Sequence, residues 1–248
     1  MANTLHALLA VEPDLAQQAK NIMDECVSTF VKKQEHFDGI QKFYSPFNEG
    51  EEMVPPETKA VVTTVKEKLD YVKESIIRAL DATLSKEETN ASGTAMSPLV
   101  VDGKSFGTYS ATGYLAIEKF LVRIRDQYKA IPTLDPTRTW KTEDQSGRNF
   151  WASPVEVKYR TVKKSKVITL APPTDKHPAQ VQLVQDEVQV GRYDTVYFSG
   201  RLSPAEKSKL LGNIDELILA VKQAKEKSNQ VEAKQVKLGD ALFKYIHK

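Results

Sequence analysis

The sequence is poor in the residues that build metal and redox sites. Its 248 residues include one cysteine, Cys26, and four histidines that are scattered without metal-ligand spacing. A single cysteine excludes an intrachain disulfide and a cysteine zinc site. Because apolar residues flank Cys26 on a predicted helix face, we interpret it as a small core residue rather than a reactive thiol. We expect no metal and no cofactor.

The chain also lacks long apolar runs and an excess of either charge. No run approaches the ~18 residues that a transmembrane helix needs, and the first residues lack the basic and hydrophobic regions of a signal peptide. The 35 Lys and Arg residues nearly balance 33 Asp and Glu, a net charge of +2. This balance gives no overall attraction to nucleic acid or an anionic membrane. We therefore expect a cytoplasmic protein without a membrane partner.

Familiar catalytic and nucleotide-binding motifs are missing. Five residues separate Gly107 from Gly113, and no lysine follows, so they do not form a P-loop, and there is no G-x-G-x-x-G sequence. No pattern identifies a nucleophile together with its base. Whether the protein is an enzyme stays open, and the sequence leans against it, although active sites can assemble from distant residues.

The strongest local pattern predicts a helix over residues 203–228. Ser203 is a capping residue, Pro204 suits the first helical position, and Glu206 can reach back to the amide of Ser203. Apolar residues then follow at spacings of three and four, which indicates one buried stripe. These residues are Leu210, Ile214, Leu217, Val221 and Ala224.

Further helices are predicted in the first half of the chain. The apolar periodicity predicts helices over residues 4–11, 12–34, 57–88 and 112–130. The helix over 57–88 is the longest, and its apolar face suits a helical hairpin or an interface with another subunit. Asp102-Gly103 between short apolar runs predicts a β-hairpin near residues 99–106.

Residues 137–200 are mainly extended in pattern. We predict strands over 155–160 and 166–170 joined by a turn at residues 163–165. A second pair over 180–190 and 192–199 is expected to be joined near Gly191.

The C-terminal part is predicted to close the fold. After the helix that begins at Ser203, residues 231–237 form a short strand, and Asp240 caps a closing helix with Leu242, Phe243 and Ile246 facing inward. Residues 1–136 are thus mainly helical, 137–200 mainly extended, and 201–248 contain a helix, a short strand and a closing helix. This order predicts one α+β domain, with long amphipathic helices packed with a mainly antiparallel sheet.

A basic run offers a candidate nucleic-acid or partner surface. It comprises Lys158, Arg160, Lys163, Lys164 and Lys166. Basic residues interleaved with an aromatic such as Tyr159 can follow a nucleic-acid backbone and stack a base. Alternation places Lys158 and Arg160 on one face of the strand and Tyr159 on the other. The more ordinary interpretation is a solvated strand whose lysines discourage unwanted pairing.

A polar segment supplies a weaker candidate site. In residues 174–180, Asp175 could orient His177 as a general base or a proton sensor. The competing interpretation is a turn, in which Asp175 bonds its own backbone and Pro178 sets the exit. We favour the turn.

Four segments resemble an uncharacterised bacterial family known only as a domain of unknown function. They are residues 68–71, 130–136, 174–180 and 200–208. The resemblance covers most of the chain and implies a bacterial cytosolic protein. It brings no activity, cofactor or site residue with it.

These observations lead to three hypotheses. The first is a non-enzymatic structural protein that self-associates as a homo-oligomer or binds a protein partner, because it combines amphipathic helices with no recognisable catalytic set. The second is a nucleic-acid-binding protein that uses residues 158–166. The third is an enzyme of unrecognised type near Asp175 and His177.

Overall fold

The fold is α+β, as the sequence predicts. A computed structural model describes residues 4–50, 53–145, 148–229 and 238–246. The helices are α1 (Leu5–Lys32), α2 (Val65–Asn90), α3 (Ala111–Lys129), α4 (Pro204–Ser228) and α5 (Gly239–Ile246). The strands are β1 (Asp38–Pro46), β2 (Glu57–Lys59), β3 (Met96–Val101), β4 (Lys104–Ser110), β5 (Lys141–Gln145), β6 (Arg148–Ala152), β7 (Glu156–Ala171) and β8 (Gln180–Ser199).

The chain forms two compact units. The first contains Met1–Cys26, Tyr71–Ala130 and Ala205–Lys248, and the second contains Val27–Asp70 and Ile131–Pro204. The expected single domain stays a prediction. Within the described residues, no helix has the length and apolar character needed to cross a bilayer.

The first unit is a helical layer with one small hairpin. Its core joins α3 and α4 to the β3–β4 hairpin through Leu99, Tyr114, Ile117, Val221 and Ala224. The predicted stripe of α4 is confirmed, because Ile214, Val221 and Ala224 are buried. The predicted hairpin is confirmed as well. Its turn has positive φ at both central residues, 49° at Asp102 and 75° at Gly103, which is the requirement of a type I′ turn.

The second unit is built on an antiparallel six-stranded sheet. The strand order is β2-β1-β8-β6-β5, and β7 also pairs with β8. The pairing makes β8 the central strand, with β1 along one edge and β7 and then β6 along the other. The aromatic rings of Phe30 and Phe37, 5.8 Å apart and both fully buried, belong to the core of this unit.

The longest predicted helix begins later than the sequence pattern suggests. Residues 57–59 form β2 against β1, and α2 starts only at Val65. The reason is a capping box at Thr64, whose hydroxyl accepts a hydrogen bond from the Glu67 amide (3.1 Å) while the Glu67 carboxylate accepts one from the Thr64 amide (2.9 Å). This arrangement satisfies the free amides at the helix start and so fixes the boundary.

Two predicted turns in the extended region are wrong. Residues 163–165 lie inside the continuous strand β7, and Gly191 lies inside the continuous strand β8. Packing, and not a turn, explains why a glycine occupies position 191. A Cβ at this position would be 2.5 Å from Cζ of Tyr44, so only glycine leaves room for that ring. The basic run therefore lies along one long strand, and the turn between β7 and β8 comes after Ala171.

The two ends of the chain also differ from expectation. The predicted separation of two helices between residues 11 and 12 is wrong, because α1 is continuous and contains Pro13. The closing helix α5 forms, yet Leu242, Phe243 and Ile246 are exposed rather than inward-facing. Their exposed fractions are 50%, 63% and 67%. The predicted strand over 231–237 lies outside the described residues.

Candidate functional site

The most distinctive surface is the long hairpin formed by β7 and β8. Its strands pair from Glu156 opposite Thr195 to Ala171 opposite Gln180, with one bulge near the tip that leaves Leu170 unpaired and another that leaves Val190 unpaired. Up to the bulge at Val190 β8 also pairs with β1. Beyond it, residues 161–171 and 180–189 form a two-stranded ribbon, and no further described strand pairs with either edge. We call this part the ribbon.

Alternation along β7 gives the hairpin two faces. Cross-strand partners lie on the same face, so the register assigns both strands. The first, which we call the apolar face, carries Val157, Tyr159, Thr161, Lys163, Ser165, Val167 and Thr169, with partners Asp194, Arg192, Gln189, Glu187, Gln185, Leu183 and Val181. The second, the basic face, carries Lys158, Arg160, Val162, Lys164, Lys166 and Ile168, with partners Tyr193, Gly191, Val188, Asp186, Val184 and Gln182.

Large apolar side chains of the ribbon are exposed to solvent. On the apolar face Val167 is 57% exposed, Leu183 67% and Val181 58%. On the basic face Val162, Ile168 and Val188 are exposed as well. A soluble sheet normally exposes polar side chains on at least one face and protects its edges. Over its distal half the ribbon exposes apolar side chains on both faces, beside polar ones such as Lys166 and Gln182. Exposed apolar side chains grouped in this way make the ribbon a candidate contact surface.

The apolar face continues onto the sheet. Phe43 on β1 lies beside Asp194 in the register and is 50% exposed. The ring of Phe47 is 6.2 Å from that of Tyr159, and both rings are about half exposed. The exposed apolar surface therefore has two parts, one at the base of the hairpin and one on the ribbon.

The predicted basic run is split between the two faces. Lys158, Arg160, Lys164 and Lys166 lie on the basic face, whereas Lys163 lies on the apolar face. The guanidinium of Arg160 lies over the Tyr44 ring, 5.6 Å from its centroid. Lys163 is opposite Glu187, and Lys164 is opposite Asp186. Residues 161–189 contain four lysines and three acidic residues. The ribbon is thus nearly neutral, although its β7 strand alone is basic.

The weak polar candidates lie at the tip of the hairpin. The amide of Thr174 donates to the carbonyl of His177 (2.9 Å), and the amide of His177 donates to the carbonyl of Thr174 (3.2 Å). This geometry is the tight turn that the ordinary interpretation predicts, and it leaves Asp175 and His177 exposed. A role for Asp175 and His177 as a general base or proton sensor stays a prediction.

A cleft of about 450 Å³ lies elsewhere in the second unit, and two arginines line it. Arg201 Nε donates to Asp38 Oδ1 at 2.9 Å. The Arg138 guanidinium stacks on Tyr197, 3.4 Å from the ring centroid, and lies 3.4 Å from Glu156. Hydrogen bonds from Thr137 hold the pKa of Asp135, at the cleft rim, below its ordinary value. Since each guanidinium already faces a carboxylate, we interpret the cleft as a structural junction.

This junction contains two of the segments that carry the family resemblance. The parts of these segments that lie in the second unit, residues 131–136 and 200–204, meet there, since Thr133 pairs with Leu202 and the Leu134 amide donates to the Leu202 carbonyl (2.9 Å). A family model, described as a family of unknown function (DUF7873), matches residues 2–248.

The chain belongs to that family. The resemblance seen in the sequence is confirmed to this extent, and membership brings no activity and no site residue. No curated protein matches the chain, and no solved structure matches it.

The described part of the chain contains no group of three or more His, Cys, Asp or Glu side chains that could hold a metal ion. Cys26 is buried, 2% exposed, as its apolar surroundings in the sequence predict.

The sequence alone does not identify the apolar face. Val167, Leu183 and Val181 read as members of ordinary strands, because apolar residues in strands usually face a core. One pattern indicates otherwise. Between residues 161 and 170 apolar and polar side chains do not alternate with period two, so neither face of β7 has the composition of a buried one.

Proposed function

We propose that this protein is a non-enzymatic structural protein that works by self-association, and that the β7–β8 hairpin is its assembly element. The observation that supports the proposal is the ribbon itself, with apolar side chains exposed on both faces and edges that no described strand pairs with. The ribbon is nearly neutral, and a nearly neutral surface suits contact with a copy of itself better than contact with a polyanion.

The energetic reasoning favours a covered ribbon. A two-stranded hairpin is at best marginally stable alone in water. Complete burial of a valine or leucine side chain contributes about 1.5–3 kcal/mol. Val167, Leu183 and Val181 are each more than half exposed, so covering them would contribute roughly 1 kcal/mol apiece. A contact of this kind would stabilise the hairpin and the assembly together.

A matched pair of lysine substitutions tests the proposal. Val167 on the ribbon is 57% exposed, and Leu219 on α4 is 58% exposed. We expect light scattering to show a discrete oligomer for the wild type and for Leu219→Lys. Val167→Lys should raise the dissociation constant at least tenfold, since a lysine would be buried at the contact.

Two results would contradict the proposal. One is a 27.8 kDa monomer for the wild-type protein at every concentration. The other is an equal loss of assembly in the ribbon variant and the α4 variant, because the effect would then come from added charge and not from the hairpin.

Nucleic-acid binding is the second candidate function. Four of the five predicted basic residues share one face of the hairpin, next to the ring of Tyr193, and such a face can contact phosphates. Acidic partners on β8, such as Asp186, weaken it. Salt-dependent retention of RNA or DNA that Lys158→Glu abolishes would favour this candidate instead. Equal retention of wild type and variant would remove it.

We also propose the cytoplasm as the compartment, on the grounds given by the composition. A lone buried cysteine suits a reducing compartment. Cell fractionation tests this location.

A further inference from the structure

We infer that the occupant of the apolar face is the apolar face of a second copy, related by a two-fold axis that runs parallel to the hairpin, above its apolar face and midway between β7 and β8. This inference rests on the proposed function, and it specifies the partner surface and the orientation. In the resulting dimer the two hairpins are stacked face to face and point in the same direction, so their tips are adjacent.

The argument begins with the symmetry of a hairpin. Rotation by 180° about an axis parallel to the hairpin and above its apolar face generates the second copy. The rotation exchanges the positions of the two strands, and it leaves each residue at the same distance along the hairpin. Each side chain of the apolar face therefore lies over its own cross-strand partner in the other copy. A hairpin whose cross-strand pairs are complementary is then complementary to itself, and the contact is isologous.

Most cross-strand pairs of this face are complementary, and the exception is Val157 opposite Asp194. Lys163 is opposite Glu187, so each lysine would meet a glutamate of the second copy. Arg192 is opposite Tyr159 and would lie on its ring, a favourable cation–π arrangement. Val167 is opposite Leu183, and Thr169 is opposite Val181, so apolar surface would meet apolar surface.

Other arrangements lose this charge matching. A two-fold axis across the hairpin would place β7 over β7. On the apolar face β7 carries Lys163 and no acidic residue, so the lysine would meet no acidic residue on β7 of the second copy. Pairing of two β7 edges would bring together the lysines at 163, 164 and 166, and edge lysines oppose such pairing.

The basic face is the poorer alternative. Four basic residues of β7 lie on it against one acidic partner on β8, Asp186. Its exposed apolar residues are also less exposed, 38% for Val162 and 42% for Ile168, against 57% for Val167 and 67% for Leu183.

Spin labels at the hairpin tip test the orientation. Lys176 is exposed in the turn, and the native Cys26, 2% exposed, is shielded from the reagent. In the full-length protein we expect the Lys176→Cys nitroxide pair to give distances of about 10–25 Å, from the ~10 Å spacing of stacked sheets plus the label arms. An axis across the hairpin would separate the tips by about 70 Å, from a rise of ~3.4 Å per residue.

A charge complementation experiment provides the second readout. Lys163→Glu and Glu187→Lys should each raise the dissociation constant of the homodimer at least tenfold, and an equimolar mixture should recover wild-type affinity. Failure of the mixture to recover, or a long tip-to-tip distance in a dimer, overturns the orientation and leaves self-association standing. A wild-type monomer overturns both the orientation and the proposed function.

Discussion

Glu67 performs two tasks at the start of α2. Its carboxylate accepts from the Thr64 amide in the capping box, and it forms a two-bond ion pair with Arg148, with distances of 2.8 Å and 2.9 Å. The Arg148 hydrogen bonds, against the cost of burial, lower the pKa of Glu67 from 4.5 to about 2. One side chain therefore ties the first turn of the helix to strand β6.

The lowered pKa makes part of the stability depend on pH. Because the folded pKa lies below the unfolded value, the contribution is complete above pH 4.5 and is lost as the pH falls towards 2. We expect Glu67→Gln to lower the free energy of unfolding by about 1 kcal/mol at pH 7, since the glutamine keeps the capping box and the pair is partly exposed.

Denaturant unfolding at several pH values measures this difference. The difference in the free energy of unfolding between wild type and Glu67→Gln should decrease below pH 4.5 and disappear near pH 2. Glu74→Gln is the control on the same helix, because the side chain of Glu74 is 79% exposed and its ion pair with Arg78 is 3.7 Å long. A gap that persists unchanged at low pH would show that the ion pair is not its source.

At the scale of elements, the N-terminus of α3 has a comparable design. The Ser110 hydroxyl accepts from the Gly113 amide at 3.1 Å and donates to the Glu88 carboxylate at 3.0 Å. Glu88 also accepts from the Ser110 amide. The cap thus links the end of α2 to the start of α3 within the first unit.

Removing this cap should destabilise the first unit. We expect Ser110→Ala to cost about 1–2 kcal/mol, since it removes the acceptor at the helix start and the hydrogen bond to Glu88. Ser110→Thr, which keeps the hydroxyl, should recover most of the loss. Thermal unfolding followed by helical circular dichroism measures both, and equal losses for alanine and threonine would point to packing instead.

The helices are predictable from the sequence and the long hairpin is not. In α3 and α4 one buried face repeats every three to four residues, and capping residues mark where they begin. The long hairpin has no buried face over much of its length, so the periodicity of β7 contains no information on register. Lys163-Lys164-Ser165 resembles a turn, and Gly191 resembles another. The packing of Tyr44 against Gly191 joins residues far apart in sequence and cannot be inferred locally.

The candidate surface also depends on residues that are far apart in the sequence. The sequence groups the five basic residues together, but their division between two faces depends on a register that only the pairing of β7 with β8 defines. The acidic residues opposite them, Asp186 and Glu187, follow more than twenty positions later. The net charge of each face can therefore be assigned only when the residues of the paired strand are known.

At the scale of the whole molecule, the proposed self-association would link stability to protein concentration. Only folded chains could form a dimer that covers the ribbon, so dilution should dissociate the dimer and lower the melting temperature. We expect the wild-type melting temperature to rise by a few degrees over a hundredfold increase in concentration. Val167→Lys should show no such rise. A concentration-independent wild type would indicate that assembly, if it occurs, does not stabilise the fold.

The exposed helix α5 adds a second apolar surface. Its residues Leu242, Phe243, Tyr245 and Ile246 are each at least half exposed. If both surfaces formed contacts between copies, the protein would form oligomers larger than a dimer. The mass measured by light scattering would show this directly.

The strand β8 belongs to both the sheet and the hairpin without interruption. Its half in the sheet is held to β1 by nine consecutive residue pairs, from Asp38 opposite Ser199 to Pro46 opposite Gly191. A pull on the hairpin tip along its length would therefore load this whole zone in shear, with all of its hydrogen bonds strained at once. Two copies joined through their hairpins would be coupled through their central strands, and the pair would resist a pulling force applied along the hairpins.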